Sequence, residues 1–473
     1  MVTARTIAQN TLYLTGSHIA MRLIGLGEVM VLVRYLGPEM YGTLTLAYAY
    51  WSLFALIVEA GIDVTLVREA SQNPERLTHL VGNGILIRTV IALGAYLIAV
   101  AALPWLGYDS DQRELFSLTL ILLFFSPLAV ARTIFPVLQR IWLVALLDLI
   151  GQLLHTTFIL SAVFLHGNIA QIVGMQVIAT ALTQTCYVFY GWQILPRPRV
   201  IQVDWHVWLT LLNQSWPILL SSLLATGYLP VSRLIVGQIL GRADAGIYTV
   251  ALSLSAVFNV LPVFYFASVY PLLARAYTTD IDYFRRLYRF SLKIMMVFIF
   301  PVALLMSLTG NELIRLYAGS NYLAGTPVFI VMSWTAVLIF AGKGLYYLIL
   351  ATRQQHILPS VTCVLLCIQL GTMVLLVPFV GLVGTALATL IMYTAAFGIY
   401  ASLTATRIYV LEWLSVSIRP ALIVLFIGGG LLILDPPTIV KWTVGMLLYG
   451  ILIAIFGGMR GEDIGSIRQI IHR

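Results

Sequence analysis

Apolar residues run through this chain in blocks of about 20 or more, each interrupted by short polar or glycine-containing stretches. A block of that length lets a helix cross a bilayer. The blocks fall at residues 8–35, 41–67, 80–106, 114–138, 141–165, 169–195, 209–239, 245–273, 287–309, 325–350, 357–379, 382–405, 418–434 and 441–459. They predict about fourteen membrane-spanning helices joined by short links. A membrane β-barrel would need strands of alternating polarity, and these blocks do not alternate.

Composition narrows the picture further. The 473 residues are 60% apolar and 10% charged. Soluble domains average about 45–50% apolar and about 25% charged. There is too little polar surface to coat a soluble enzyme or to keep a chain disordered. Cys186, Cys363 and Cys367 all lie in apolar blocks. Cys363 and Cys367 share a helix face, but no His or carboxylate joins them, so packing explains them better than a metal site. His18, Arg22 and Glu28 interrupt the first block, which is unlike the apolar region of a cleavable signal peptide.

The basic residues set an expected orientation. With the N-terminus in the cytoplasm and sides alternating, eighteen of the 27 Lys and Arg, from Arg5 to Arg473, fall at cytoplasmic segments or span ends. Arg34, Arg113, Arg242, Arg315 and Lys441 fall outside, and the rest within spans. This bias predicts both termini inside. It also accounts for the net charge of +8 through the anionic cytoplasmic leaflet, without nucleic acid.

The chain also repeats. Leu36-Gly37-x4-Gly42-x4-Ala47 recurs as Leu240-Gly241-x4-Gly246-x4-Ala251, each at an outer turn between two spans. Gly37 and Gly241 should end one span, because glycine accepts positive φ freely. Polar clusters precede both copies, Gln9-Asn10-Thr11 and Asn213-Gln214-Ser215, and basic links follow at 68–80 and 274–286. Six spans separate the copies, an even number, so the repeat is parallel. The expected organisation is a six-helix lobe over 1–200, a second over 209–405, and two further helices with a cytoplasmic tail over 406–473. Transporters built this way bind substrate near mid-membrane between the repeats.

At these motifs the chain resembles the oligosaccharide flippases of the multidrug/oligosaccharidyl-lipid/polysaccharide (MOP) superfamily, the Wzx-type polysaccharide biosynthesis proteins. The resemblance rests on four features in order: Arg34-Tyr35-Leu36-Gly37-Pro38-Glu39-x-Tyr41-Gly42; Leu240-Gly241-Arg242-Ala243-Asp244-Ala245-Gly246; Leu316-Tyr317-Ala318-Gly319-x2-Tyr322-x-Ala324; and Pro378-x2-Gly381-x2-Gly384-x-Ala386. It spans almost the whole chain. It implies fourteen helices, two lobes, alternating access, and movement of undecaprenyl-diphosphate-linked sugars from the cytoplasmic to the outer leaflet of the plasma (inner) membrane. It also implies partners: membrane lipids, a polysaccharide polymerase and glycosyltransferases. A monomer without cofactor is expected.

Ionisable residues inside spans cost about 2.5–3.5 kcal/mol each on insertion scales, and mark cavities or mutual pairs. Arg22 lies near mid-depth of the first span, where its fork suits phosphate oxygens or an internal pair with Glu28. Arg88 either receives the substrate at the inner entrance or pairs with Glu59 or Asp63. Lys343, between Gly342 and Gly344, either lines a cavity or snorkels inward. Arg233, after Pro230, is either a release-side contact or a helix-end anchor. These four are the candidate substrate-binding residues. Glu59 and Asp63, read as one turn apart on one helix face, either bind a coupling ion or counter the charge of Arg68 or Arg88. Asp148 reads as a neutral acid or a partner of Arg140, and His18 and His155 as satisfied packing residues rather than ligands. Residues 274–293 look like an amphipathic helix at the inner surface.

The leading function is a lipid-linked oligosaccharide flippase. The alternative is a cation-coupled multidrug exporter of the same superfamily, which would want an acidic cavity. A membrane glycosyltransferase or polymerase would need a large outer loop, and the connections here are short.

Overall fold

A computed structural model describes residues 4–195 and 202–456, and of these the side chains from 16 onward. The side chains of Arg5 and of the cluster Gln9-Asn10-Thr11, together with Arg197, Arg199 and the basic tail holding Arg460, Arg468 and Arg473, lie outside the described residues. The described residues contain helices and no strand. Thirteen helical stretches among them are long and apolar enough to cross a membrane. The first, Gly16–Gln72, bends at Gly37, and its two arms account for the fourteenth expected span.

The chain divides into two compact units, Met1–Gly246 and Ile247–Arg473. The first holds α1 (Ala4–Glu59), α2 (Ile62–Gln72), α3 (Leu77–Ala102), α4 (Ser110–Leu120), α5 (Ile134–Val137), α6 (Ile141–Phe164), α7 (Ile169–Ile194), α8 (Trp205–Thr226) and α9 (Tyr228–Ile239). The unit boundary falls within α10 (Arg242–Ser255). The second unit holds α11 (Val260–Thr279), α12 (Ile281–Leu308), α13 (Gly310–Ala318), α14 (Thr326–Ala351), α15 (Leu358–Val380), α16 (Leu382–Ser402), α17 (Arg407–Leu434) and α18 (Thr438–Ile455).

In the first unit α1 packs along α6 and α9. Gly37 (φ 71°) and Gly241 (φ 100°) both take the left-handed region, so the two matched motifs make the same kind of turn. The second glycine of each motif permits a close backbone approach. A methyl group on Gly42 would sit 1.8 Å from the Arg242 carbonyl oxygen, and one on Gly246 would sit 2.3 Å from that of Pro38. The two turns therefore meet reciprocally through their glycines. Glu39 and Arg242 add an ion pair at 3.4 Å across the contact.

Prolines subdivide the expected spans. Pro230 has no N–H for the carbonyl of Thr226 and crowds it, so the block at 209–239 becomes α8 and α9. The block at 114–138 is α-helical to Leu120, a 3₁₀-helix over Ile121–Thr133 around Pro127, then α5. Asn83 on α3 ties down the start of α8: its Oδ1 accepts from the Asp204 backbone and from Trp208 Nε1, both at 2.9 Å.

The helix expected to carry Glu59 and Asp63 on one face is broken between them. Ala60 (φ 46°) and Gly61 (φ 70°) are left-handed, so α1 stops at Glu59 and α2 starts at Ile62. Helix α8 lies close against this break: a methyl on Gly61 would lie 2.7 Å from Ile218 Cβ. The predicted polar cluster finds its use here. Ser215 Oγ donates to Thr65 Oγ1 at 2.8 Å, and Arg68 donates to Gln214 Oε1 at 2.7 Å.

In the second unit α12 is flanked by α11, α14 and α17, and α18 packs on α17 and α12. The stretch 274–293 is not a separate surface helix. It is the end of α11 and the first turns of α12, separated by Asp280, whose Oδ1 caps α12 by accepting from the Asp282 and Tyr283 amides. Its aromatic face is occupied: Phe284 and Tyr288 are buried and meet Tyr409 of α17 edge-on.

Candidate functional site

The intramembrane charges of the first unit are mostly paired. Arg88 is 1% exposed and donates to Asp63 Oδ1 at 2.7 Å and to Ser126 Oγ at 3.1 Å. The break at Ala60–Gly61 leads into α2, which carries Asp63 to this guanidinium. Of the two readings of Arg88, the geometry gives the pair. Glu59 is exposed and hydrogen-bonded to no described residue. Arg132 donates to Asp148 Oδ2 at 2.6 Å and Tyr187 donates to Oδ1 at 2.5 Å, so Arg132 rather than Arg140 partners Asp148.

Glu28 is buried on α1, but Arg22 is not its partner. Its Oε2 accepts from Thr156 Oγ1 at 2.6 Å, and His155 Nδ1 and Gln152 Nε2 lie at 3.2 and 3.5 Å. His155 is thus satisfied within a polar cluster between α1 and α6. The sequence offered one signal for it: Gln152, His155 and Thr156 share one face of α6 at helical spacing.

That leaves Arg22, Arg233 and Lys343. Arg22 is exposed on α1, with no hydrogen bond or ion pair to any described residue. Arg233 is half-buried midway along α9, and its Nε is buried without a partner. Lys343 is half-buried on α14, with no carboxylate paired to it among the described residues. Its Nζ lies 5.9 Å over the ring of Tyr346. Gly342 beside it faces open space, whereas Gly344 is pressed by Leu292 and Phe266. A cation in this setting is offered an aromatic face and no counter-charge.

Aromatic residues also separate the two units. In the first, Tyr50, Tyr108 and Phe116 are buried together, and Tyr50 donates to the Ala99 carbonyl at 2.7 Å. In the second, Phe266 and Tyr270 of α11 meet Tyr347 of α14, which adjoins Tyr346, the ring beside Lys343, and Tyr265 packs on Phe266. Among the described residues no group of three or more His, Cys, Asp or Glu could hold a metal ion.

Residues 7–277 match the family described as "Polysaccharide biosynthesis protein". No curated protein matches the chain in sequence. The fold is similar to that of a solved lipid II flippase, MurJ, in an inward closed conformation, with a TM-score of 0.75 and 15% identity over 94% of this chain and 99% of that one. It is also similar to an inward-facing multidrug resistance MATE family transporter of the MOP superfamily, with a TM-score of 0.65 and 13% identity over 84% of this chain and 96% of that one. The outward-facing form of a MATE family transporter gives 0.57 at 13% identity, over 87% of this chain and 96% of that one. With residues 7–277, more than half its length, matched to the family, this multi-pass membrane chain belongs to the polysaccharide biosynthesis protein family.

Proposed function

We propose that the chain is a flippase that carries an undecaprenyl-diphosphate-linked oligosaccharide from the cytoplasmic to the outer leaflet of the plasma membrane by alternating access. The observation that carries this reading is Lys343, a cation within a membrane-spanning helix with no carboxylate paired to it among the described residues. Such a charge costs about 2.5–3.5 kcal/mol to insert and calls for an anion or water. A diphosphate supplies the anion. Arg22, unpaired on α1 among the described residues, is kept as a substrate-binding cation whose fork matches phosphate oxygens. Arg233 is kept as a release-side contact. Arg88, held by Asp63, is assigned to the scaffold.

The family match supports a polysaccharide precursor as cargo, and the structural likeness to MurJ supports a lipid-linked one. Orientation and energetics agree in this reading. With both termini in the cytoplasm, outward movement of two negative charges across an inside-negative membrane gains up to about 4.6 kcal/mol per 100 mV. The two matched turns at Gly37 and Gly241 support a parallel repeat over 1–200 and 209–405. Of the carboxylates expected to couple an ion, Asp63 is engaged by Arg88, so Glu59 is the one left for that role.

The second reading is a cation-coupled multidrug exporter, favoured by the likeness to MATE transporters and by the buried Glu28 carboxylate. Purified protein in liposomes distinguishes them. Undecaprenyl-diphosphate-linked N-acetylglucosamine placed in one leaflet should become accessible in the other to an added glycosyltransferase. Export of a cationic dye under a proton gradient, without movement of that lipid, would overturn the flippase reading.

A further inference from the structure

The aromatic residues around Lys343 have a use that the flippase reading leaves open. Lys343 Nζ sits 5.9 Å from the centre of the Tyr346 ring. Tyr346 stands at 87° to Tyr347, with centroids 5.4 Å apart. Tyr347 in turn lies against Phe266, nearly parallel at 19° and 6.3 Å, and against Tyr270 at 6.0 Å. Gly344 makes this seating possible, because a methyl there would lie 3.0 Å from the Phe266 ring tip.

Two features set this group apart from core packing. Tyr346 is 43% exposed, and Tyr270, Tyr347 and Lys343 are only half-buried. The hydroxyls of Tyr270, Tyr346 and Tyr347 bond to no described residue. In the first unit the comparable Tyr50 is 5% exposed, and its hydroxyl is spent on a backbone carbonyl. Tyrosine rings present a rigid apolar face with a polar tip. A pyranose has the complementary surfaces: a face of C–H groups and an equator of hydroxyls. A sugar esterified to a diphosphate also carries its negative charge directly beside its ring. Here a cation stands directly beside an aromatic face.

We propose that Tyr270, Tyr346 and Tyr347 form a sugar-binding surface for the first, phosphate-bearing sugar of the cargo, with Lys343 on the adjoining diphosphate. Tyr346 supplies the face on which the ring stacks. The hydroxyls of Tyr270 and Tyr347 bond to the ring substituents. Phe266 holds Tyr347 in place from behind. This assignment rests on the flippase reading and goes beyond it by naming the residues that distinguish a glycosylated lipid from a bare one.

The test compares two probes on full-length protein in nanodiscs: undecaprenyl diphosphate, and undecaprenyl-diphosphate-linked N-acetylglucosamine. Wild type should bind the glycosylated lipid about tenfold more tightly than the bare one, a difference of about 1.4 kcal/mol. Tyr346→Leu, at an exposed position, should erase that preference and leave binding of the bare lipid within about twofold. Tyr347→Phe keeps the stack on Phe266 and should lose part of the preference. Lys343→Met should weaken both lipids. A wild type that binds both lipids equally, or a Tyr346→Leu variant that keeps the preference, would overturn the sugar surface while the flippase reading stands. A wild type that binds neither lipid would overturn both.

Discussion

The paired charges of the first unit and Lys343 of the second are accommodated inside the membrane in opposite ways. In the first, Arg88 is met by Asp63, Arg132 by Asp148, and Glu28 by Thr156, His155 and Gln152. In the second, Lys343 within α14 has the ring of Tyr346 beside it and no paired carboxylate among the described residues. The cost of burying an ion is the same physical quantity in both. For Arg88, Asp148 and Glu28 the first unit offsets it within the fold, so these charges serve structure, whereas Arg22, Arg233 and Glu59 of the same unit have no such partner among the described residues. In the flippase reading the charge of Lys343 is left to be offset by something that comes and goes, which is what a binding residue requires. An intramembrane charge therefore marks a site by what it lacks, not by its presence.

The sharpest way to break this contrast is to unpair Arg88. Asp63→Ala leaves a guanidinium that is 1% exposed with only Ser126 beside it. It should cost about 3 kcal/mol, the lower end for a broken buried pair, because solvent reaches part of the Asp63 side chain. Thermal melting in detergent would report it. Replacing both partners, Asp63→Leu with Arg88→Met, should recover most of the loss. A double variant as unstable as the single one would mean that Arg88 does more than pair.

A smaller loss is expected at Glu28. Glu28→Ala removes the acceptor of Thr156 and the neighbour of His155, at about 1–3 kcal/mol for buried polar groups left unsatisfied. Glu28→Gln retains an acceptor and should lie closer to wild type in the same melt. If Glu28→Gln leaves stability intact but stops transport, Glu28 belongs with Lys343 and the contrast between the units narrows.

The smallest effect is expected at Arg242. Its pairs with Glu39 at 3.4 Å and Asp109 at 3.8 Å are solvent-exposed, so Arg242→Ala should cost at most about 1 kcal/mol, less at high salt. The glycines beneath carry the contact between the two turns. A loss from Arg242→Ala that persists in high salt would show that the side chain packs as well as pairs.

Much of the fold was legible because it follows from local pattern. Apolar block length predicts the spans, and glycine spacing predicts the left-handed turns at Gly37 and Gly241. Pairing was legible only as an alternative: Arg88 with Asp63 was one of two readings of each residue. What could not be read depends on contacts between distant positions. Gly61 permits the break, but a lone glycine in an apolar block does not announce one, and the close neighbour Ile218 lies on α8. His155 read as a satisfied packing residue, but its partner was not legible because Glu28 lies 127 positions away. The tyrosines around Lys343 lie on α11 and α14, and neither helix alone distinguishes a binding surface from ordinary aromatic packing.

The most direct measurement is transport and melting temperature of Lys343→Met on one preparation. The account predicts a melting temperature at or above wild type, because an uncompensated intramembrane charge has been removed. It predicts that movement of undecaprenyl-diphosphate-linked N-acetylglucosamine across liposomes falls by about a hundredfold, the equivalent of about 2.7 kcal/mol of lost anion binding. Transport at the wild-type rate, or a large drop in melting temperature, would show that Lys343 is a structural charge like those of the first unit.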